Sequence, residues 1–131
     1  MNTDELAIRH ILDEWAKATT EGRLTDVLAN HATEAMIYDV LPPFQFASKA
    51  EYQTSWDEWQ PDAQGESMFY LDNLHVVAGP EVGFAFGHLQ CGGTLPGGKT
   101  FPDTVRATFC LKKESSQWVI YHQHISKPIG A

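Results

Sequence analysis

The spacing of apolar residues predicts an amphipathic helix at the start of the chain. Four apolar residues recur at intervals of three and four positions: Ile8, Ile11, Leu12 and Trp15. This periodicity places one apolar stripe on one face of a helix over residues 3–20. Asn2 or Thr3 can cap its first turn, and Gly22 suits its exit.

Two further helices are expected before residue 62. A short one should begin at Thr25 as its N-cap and carry Val27 and Leu28, with His31 near its end. The next follows Ser48 and Glu51, which match a capping box, and Pro61 should end it. Its aromatic residues share one face: Tyr52, Trp56 and Trp59.

Strands are predicted where the period changes to two. Residues 36–41 alternate, which predicts a strand that Pro42 and Pro43 end, because neither proline can donate to a sheet. Four longer strands are expected at 67–78, 82–91, 103–112 and 117–126. Breaks between them are expected at 79–81, in the glycine-rich stretch 91–98, and at 113–117.

This order of elements predicts an α+β domain. Long antiparallel strands with helices gathered on one side make a layered architecture. A curved sheet that wraps the first helix leaves a cavity between them, and such a cavity is the usual place for a ligand. No linker or repeat divides the chain, so residues 1–131 are expected to form a single domain.

Composition and charge exclude several classes of partner. The net charge is −8 and only nine residues are Lys or Arg, so no nucleic-acid or acidic-membrane partner is expected. No apolar run approaches the roughly 20 residues that span a bilayer. The first ten residues carry acids where a signal peptide would be basic and apolar, which favours a cytoplasmic protein. Cys91 and Cys110 are then expected to be reduced, buried thiols.

Three local motifs carry a family resemblance. The first, His31–Asp39, is HATEAMIYD; the second, Thr104–Lys113, is TVRATFCLKK; the third, Trp118–Pro128, is WVIYHQHISKP. With the order of elements they resemble the NTF2-like superfamily, specifically its SnoaL-like and ketosteroid-isomerase-like families. The resemblance implies a cone in which three N-terminal helices pack on a curved, mostly antiparallel mixed sheet.

Asp39 is the first candidate for chemistry. It lies among the apolar residues Ile37, Val40 and Leu41, where an unpaired carboxylate is costly to bury. In the steroid-isomerase branch the resemblance implies that this aspartate is the general base, whose pKa a dry pocket raises. The alternative is a strand-end acid that caps the turn before Pro42.

The chain departs from the isomerase pattern in its oxyanion donors. The first helix offers Trp15, with one indole N–H, where that branch has a tyrosine. The strand from Asp103 has no later acid, and Arg106 lies where an acidic donor is expected. The polyketide-cyclase branch, which pairs an aspartate with neutral or basic donors, therefore resembles this chain better.

His122 and His124 are two residues apart, so on a regular strand they share a face with Trp118, Ile120 and Ser126. Three interpretations remain open. His124 could orient or polarise a substrate, or the two histidines could form a structural pair at the sheet surface. They could also be part of a metal site with His88. Two histidines are too few for zinc, and no metal is expected.

Arg106 is expected to lie on the face opposite Val105, Ala107 and Phe109. It could form a structural ion pair with Asp39 or Asp72, or it could anchor a substrate oxygen. A pairing with Asp39 would lower the pKa of that carboxyl group and make it a poorer base.

Aromatic residues supply the walls of the expected pocket. Most of them must be core, but a few border the cavity in the predicted fold, and aromatic walls suit a flat hydrophobic ligand. The predicted lining residues are Trp15, Tyr38, Trp56, Tyr70 and His122. The stretch around Gly92–Gly98 lacks the lysine, serine and helix of a phosphate loop, so no nucleotide cofactor is expected.

The sequence therefore predicts a pocket protein that binds a small apolar carbonyl compound. Asp39 would act as the base, with His124 or Arg106 polarising oxygen, in an isomerisation or an intramolecular cyclisation. The alternative is a non-catalytic ligand-binding or dimerisation module of the same fold. A homodimer that covers the free face of the sheet is expected in either case.

Overall fold

Five strands form one mixed sheet, and the helices pack on one of its faces. The computed structural model describes residues 2–40, 43–59, 64–94 and 100–129. The helices are α1 (Thr3–Glu21), α2 (Leu24–Val27) and α3 (Lys49–Trp59). The strands are β1 (His31–Tyr38), β2 (Gln64–Ala78), β3 (Val82–Thr94), β4 (Thr100–Glu114) and β5 (Gln117–Ser126). Their order is β1-β5-β4-β3-β2, and only the β1–β5 pair is parallel. The expected α+β cone is confirmed.

The ends of α1 follow the sequence signals. The Asn2 side chain accepts a hydrogen bond from the Glu5 N–H at 2.7 Å, so Asn2 is the N-cap. Gly22 ends the helix at φ 70°, a left-handed conformation that glycine adopts without a steric penalty. None of the described helices is both long and apolar enough to cross a bilayer.

The second helix and the first strand differ from expectation. Arg23, not Thr25, is the N-cap of α2, and its side chain makes no capping hydrogen bond. His31 begins β1 and does not end α2. The strand starts five residues earlier than the alternation predicted because Thr33 and Glu34 are both exposed and break the period. β1 ends at Tyr38, which leaves Asp39 just beyond it.

Strands β2, β3 and β4 are longer than predicted, whereas β5 has the predicted bounds, and the turn between β4 and β5 is tight. Ser115 and Ser116 join β4 to β5 with φ angles of 51° and 67°. Two consecutive positive φ angles are typical of a two-residue hairpin whose twist matches the strands, usually built from Asn and Gly. The predicted break was wider because serine gives little signal for this turn. Pro42, Pro61 and residues 95–99, expected at other breaks, lie outside the described residues.

The inner face of the sheet packs against α1 and holds the core. Its buried residues include Leu89 of β3, Phe109 of β4 and Ile37 of β1. From α1, Ile8, Leu12 and Trp15 complete this cluster, as the apolar stripe predicted. The opposite, outer face of the sheet carries no helix of the described part of the chain, and several of its large apolar side chains are exposed.

Helix α1 also covers the free edge of the sheet. β2 is an edge strand, and its Phe69 N–H donates to the Thr20 hydroxyl at 2.9 Å. That hydroxyl lies 2.9 Å from the Phe69 carbonyl oxygen, which can accept its proton. Arg9 donates to the Leu74 carbonyl oxygen at 3.0 Å. These contacts satisfy backbone groups that an open edge would present to another chain.

A buried polar pair lies where β1 meets β5. His31 Nε2 is 2.7 Å from Gln123 Oε1, and the two residues are buried. Among the described residues, His31 Nδ1 and Gln123 Nε2 have no hydrogen-bond partner. Burial lowers the pKa of His31 from 6.5 to about 4. The hydrogen bond to Gln123 opposes this decrease, whereas the positive charge of Lys49 makes a small contribution in the same direction as burial.

Thr20→Val should destabilise the fold by about 1–3 kcal/mol, because the Phe69 N–H loses its acceptor. Chemical denaturation would measure the loss. Thr54→Val is the matched control. The Thr20 hydroxyl also lies 3.0 Å from the Ala16 carbonyl oxygen four residues back, and the Thr54 hydroxyl lies 3.1 Å from that of Ala50, but Thr54 is exposed on α3 and contacts no strand edge in the described structure. Equal effects of the two substitutions would contradict a role for Thr20 at the strand edge.

The His31 pKa predicts acid sensitivity. Because the folded pKa lies below the unfolded value, the unfolded chain takes up the proton first as the pH falls. Stability should therefore decrease between about pH 6.5 and 4, by about 3 kcal/mol in total from this residue.

Denaturation as a function of pH measures this loss. His31→Gln should flatten the curve over that window, whereas His10→Gln, at an exposed position on α1, should not. An NMR titration of unmodified protein in which His31 becomes charged near pH 6.5 would contradict the assignment.

Candidate functional site at Asp39

Asp39 lies on the inner side of the sheet, directly after β1. Ala35 and Ile37 are buried on that side, and Asp39 follows them in the same alternation. Its Oδ1 atom accepts a hydrogen bond from the Val40 N–H at 2.7 Å. The carboxylate is thus held at the end of the strand with its second oxygen directed to another partner.

That partner is Tyr52 of α3. The Tyr52 hydroxyl lies 3.5 Å from Asp39 Oδ2. The tyrosine is buried, and its ring packs edge-on against Phe46 with ring centroids 5.1 Å apart. Phe46 in turn pairs with Ile37 through two backbone hydrogen bonds of 2.9 Å. This bridge folds the chain back and brings Tyr52 to Asp39 across 13 residues of sequence.

The start of α3 fixes the position of Tyr52. The Glu51 N–H donates to Ser48 Oγ at 3.2 Å, and the Ala47 N–H donates to Glu51 Oε2 at 2.6 Å. This is the predicted capping box, with the return bond made one residue earlier than usual. The sequence places Tyr52 on a helix face but does not identify it as a site residue. The capping box four residues before it was the available signal.

Burial raises the pKa of Asp39 above its ordinary value. The Val40 N–H and then the Tyr52 hydroxyl oppose this effect, because both stabilise the ionised form. Within the described part of the chain Asp39 takes part in no ion pair. A carboxylate in this condition is a stronger base than an exposed one.

The Cys91 thiol of β3 is close enough to Asp39 for the charge of that carboxylate to affect its pKa. Burial raises the pKa of its thiol, and the negative charges of Asp103 and Asp39 raise it further, while Lys127 lowers it. Cys91 and Asp103 face each other across β3 and β4. Lys127 Nζ lies 2.9 and 3.0 Å from the two oxygens of Asp103. Of the two carboxylates near this thiol, Asp103 is neutralised and Asp39 is not.

The structure does not bring Arg106 to Asp39. Arg106 lies on the outer face, exposed, and its Nε donates to Ser126 Oγ at 3.2 Å. Neither Asp39 nor Asp72 is within ion-pair distance of it in the described residues. The expected ion pair is therefore wrong, and the raised pKa of Asp39 agrees with its absence.

The two candidate histidines also face outward. Cys110 pairs with His122 and Leu111 with Ile120, so Tyr121 is an extra residue in β5. This bulge reverses the alternation, and His122 and His124 lie on the face opposite Trp118 and Ile120. The two histidines share a face with each other and with Ser126, but the expectation that Trp118 and Ile120 lie on that face is wrong, because a strand with a bulge does not keep one period. His124 is thus not beside Asp39.

The predicted pocket residues also lie in different parts of the fold and do not line one pocket. Trp15 is in the core, with its ring edge-on to Phe109 at 5.3 Å, and its Nε1 has no partner among the described residues. Tyr38 lies outside, with its ring 4.7 Å from that of His122. Tyr70 is half exposed on β2. The side chain of Trp56 lies outside the described part of the structure.

A groove elsewhere on the surface does not coincide with this site. It has a volume of about 310 Å³, lies between α1 and β2, and is bordered by Lys17, Thr20 and Tyr70. It includes neither Asp39 nor Tyr52. Among the described residues, no three His, Cys, Asp or Glu side chains are grouped as a metal site would require.

Comparison with known proteins agrees with the fold. The model of the SnoaL-like domain family matches residues 8–130. An NTF2-like protein of unknown function from Pseudomonas putida superimposes with a TM-score of 0.87 at 25% identity, over 98% of this chain and 89% of that one. No curated protein matches the chain at a significant level.

Two more distant structures share the fold alone. One is a candidate dehydratase of the NTF2-like family from Streptomyces avermitilis, with TM-score 0.85 and 14% identity over 98% of this chain and 99% of that one. The other is a ketosteroid isomerase-like protein from Erwinia carotovora atroseptica, with TM-score 0.79 and 14% identity over 98% and 100%. The chain belongs to the SnoaL-like domain family of the NTF2-like superfamily.

Proposed function

We propose that this protein acts on a small, mostly apolar carbonyl compound, with Asp39 as the general base. The observation that carries the proposal is the state of Asp39: half-buried, held by Val40 and Tyr52, in no described ion pair, and with a raised pKa. Inner-face carboxylates without a counter-charge are costly to the fold, so their presence favours a chemical role.

The chemistry that suits this carboxylate is proton transfer at carbon. Asp39 would remove a proton from a carbon next to the carbonyl, and the electrons of that C–H bond would form the enolate. In an isomerisation, protonated Asp39 returns the proton to another carbon of the enolate. In a cyclisation, the enolate carbon attacks a second carbonyl of the same molecule, and the alkoxide that forms takes the proton from Asp39. Asp39 ends as the free carboxylate in both outcomes.

The enolate oxygen needs a donor on the same side of the sheet. His124 and Arg106 are on the outer face, so the proposal gives them no part in this step. Trp15 is the better candidate because its indole N–H is buried without a described partner. An unsatisfied buried N–H is uncommon in folded proteins, and a ligand oxygen would satisfy it.

The names of the structural relatives agree with this reaction class without specifying it. One relative is a candidate dehydratase and another is ketosteroid isomerase-like. Both reactions can begin with removal of a proton next to a carbonyl group. The alternative, a non-catalytic binding module, would bind the same class of compound at Asp39 without turnover.

Asp39→Asn should abolish proton transfer because an amide cannot accept the proton. The measurement is deuterium uptake from D₂O at the carbons next to the carbonyl of small cyclic ketones such as 1-indanone and 2-tetralone, followed by NMR. We expect kcat/KM to fall by about 100-fold or more. Asp13→Asn, an exposed carboxylate of α1, is the control and should keep full activity.

The same substitution should leave the fold intact. The raised pKa means that ionising Asp39 destabilises the native state as the pH rises through that pKa, and a neutral amide avoids this cost. Exchange that survives in folded Asp39→Asn protein would show that another group is the base. Binding of these ketones without any exchange would favour the non-catalytic alternative.

Tyr52→Phe should raise the pKa of Asp39 further, because it removes a hydrogen bond that favours the ionised form. Carbon-13 NMR of the aspartate carboxyl groups would follow the titration. The pH at which exchange reaches half its maximal rate should shift upward with it. Tyr121→Phe, on the half-exposed bulge residue, should change neither quantity. An unchanged Asp39 titration in Tyr52→Phe would contradict the assigned contact.

A further inference from the structure

Gln123 is a polar residue in an otherwise apolar row of side chains on the inner face of the sheet. It is fully buried on β5, with Phe109 of β4 opposite it on one side and Ile37 of β1 on the other. Ala85 of β3 continues the row beyond Phe109 and is also fully buried. An amide at such a position costs free energy to bury unless its polar groups are hydrogen-bonded.

In the described part of the chain, one end of the Gln123 amide has a partner and the other has none. Its Oε1 atom lies 2.7 Å from His31 Nε2. Because the pKa of His31 is lowered to about 4, the imidazole is neutral at neutral pH, and Nε2 carries the ring proton that it donates to Oε1. Gln123 Nε2 keeps both of its N–H groups without a described acceptor.

A second unpaired donor lies beside the same phenylalanine. The ring of Trp15 packs edge-on against Phe109 with ring centroids 5.3 Å apart, and Trp15 Nε1 has no partner among the described residues. Phe109 therefore has one buried donor residue on the helix side and another on the neighbouring strand. Unsatisfied buried donors are uncommon, and two beside one ring indicate an acceptor that the described residues do not supply.

A purely structural role does not account for the unpaired amide. A buried polar pair can often be replaced by apolar side chains of similar size without loss of stability. His31 and Gln123 instead keep N–H groups in the core that stabilise nothing until an acceptor is present. A ligand oxygen would satisfy them.

Asp39 lies within reach of a ligand that Gln123 holds. It follows Ile37, the residue paired with Gln123, by two positions on the same side of the sheet. Two residues along a strand span about 6.8 Å and neighbouring strands are about 4.8 Å apart, so the backbone positions of Asp39 and Gln123 are about 8 Å apart. A hydrogen bond of about 2.9 Å at one end and an approach of about 3–3.5 Å at the other leave room for one C–C=O unit.

The surface between these groups is apolar. Ala107 of β4 and Ile125 of β5 form the next inner pair of the register on the side of Asp39, and both are buried. A carboxylate at one end of an apolar surface and N–H donors at the other suit a compact ketone with one polar atom, its carbonyl oxygen. The spacing favours removal of a proton from the carbon bonded directly to the carbonyl carbon.

We propose that Gln123 is a second donor to the ligand's carbonyl oxygen, beside Trp15, and that His31 positions its amide. The inference rests on the proposed function. As Asp39 takes the proton, the C–H electrons form a carbon–carbon double bond and the carbonyl π electrons move to the oxygen. The N–H groups of Gln123 stabilise this developing charge without giving up a proton. Gln123 is then a catalytic residue, because it touches the substrate, and His31 is a positioning residue that acts through it.

Replacing both members of the pair separates catalysis from structure. A variant with His31→Leu and Gln123→Met has no stranded polar partner, so it should remain stable in chemical denaturation. Its kcat for deuterium uptake by 2-tetralone should nevertheless fall by about 100-fold, as is usual when one donor to a developing oxyanion is lost. Gln90→Met is the matched control and should keep full activity. Gln90 is also hydrogen-bonded, with Oε1 2.7 Å from Thr104 Oγ1, but it lies on the opposite face.

Single substitutions test the positioning role of His31. His31→Leu leaves the Gln123 amide without its partner and should lower kcat by at least about 10-fold with little change in KM. His31→Gln keeps an N–H that can donate to Gln123 Oε1, so it should restore most of the activity. A histidine with a merely structural role would give the same kcat in both proteins once each is folded.

A binding measurement keeps this inference separate from the proposed function. 2-Naphthol is the aromatic counterpart of the enol of 2-tetralone and presents its hydroxyl oxygen where the enolate oxygen would lie. Its addition should shift the side-chain amide signal of Gln123 and the indole N–H signal of Trp15 in nitrogen-15 NMR spectra assigned by triple resonance. The variant with both substitutions should bind 2-naphthol at least about 10-fold more weakly.

The two measurements distinguish failure of the Gln123 assignment from failure of the proposed function. Weaker naphthol binding by the double variant, with no deuterium uptake in unmodified protein, would support the Gln123 site and contradict Asp39 as a base. Full uptake in the stable double variant, equal naphthol affinity, or a Gln123 signal that does not move would each overturn the assignment. No binding of 2-naphthol to unmodified protein at millimolar concentration would overturn it as well.

Discussion

The pairing of β1 with β5 is the interaction on which both faces of the sheet depend. Among the described strands it is the one parallel pair, and it places Ile37 opposite Gln123 and Tyr38 opposite His124. On the inner side this pairing aims the residue after the strand, Asp39, toward α3. On the outer side it completes two rows of side chains that cross the whole sheet. A shift of one residue would exchange the two sets, because side chains alternate with a period of two.

The bulge at Tyr121 keeps that pairing compatible with a packed core. Before it, Trp118 and Ile120 point inward; after it, Gln123 and Ile125 do so. Without the extra residue, His122 and His124 would lie in the core, where imidazoles are costly to bury without partners. The bulge thus keeps His122 and His124 on the side of the sheet opposite Asp39. The half-buried carboxylate of Asp39 lies on the inner side, and a band of histidines lies on the outer side.

Burial acts on two ionisable groups at opposite ends of β1, and it favours the neutral form of both. His31 has its pKa lowered and Asp39 has its pKa raised. The imidazole of His31, at the start of the strand, is hydrogen-bonded to Gln123 and is part of the core. The carboxylate at the end accepts a hydrogen bond from the Tyr52 hydroxyl. The same physical effect therefore acts on a residue of the core at one end and on the candidate base at the other.

The sequence by itself determined the class of the fold and much of its detail. The stripe from Ile8 to Trp15, the Ser48 capping box and the four later strands are local patterns, and local patterns are what periodicity and capping rules detect. The sequence also singled out Asp39, because an acid among apolar residues is conspicuous. Only the tertiary structure decided its partner: Tyr52 reaches it through the bridge between Ile37 and Phe46, not Arg106 across the sheet. It also decided which way the histidines face, because a single inserted residue reverses the alternation and leaves no signal in the pattern of hydrophobic and polar positions.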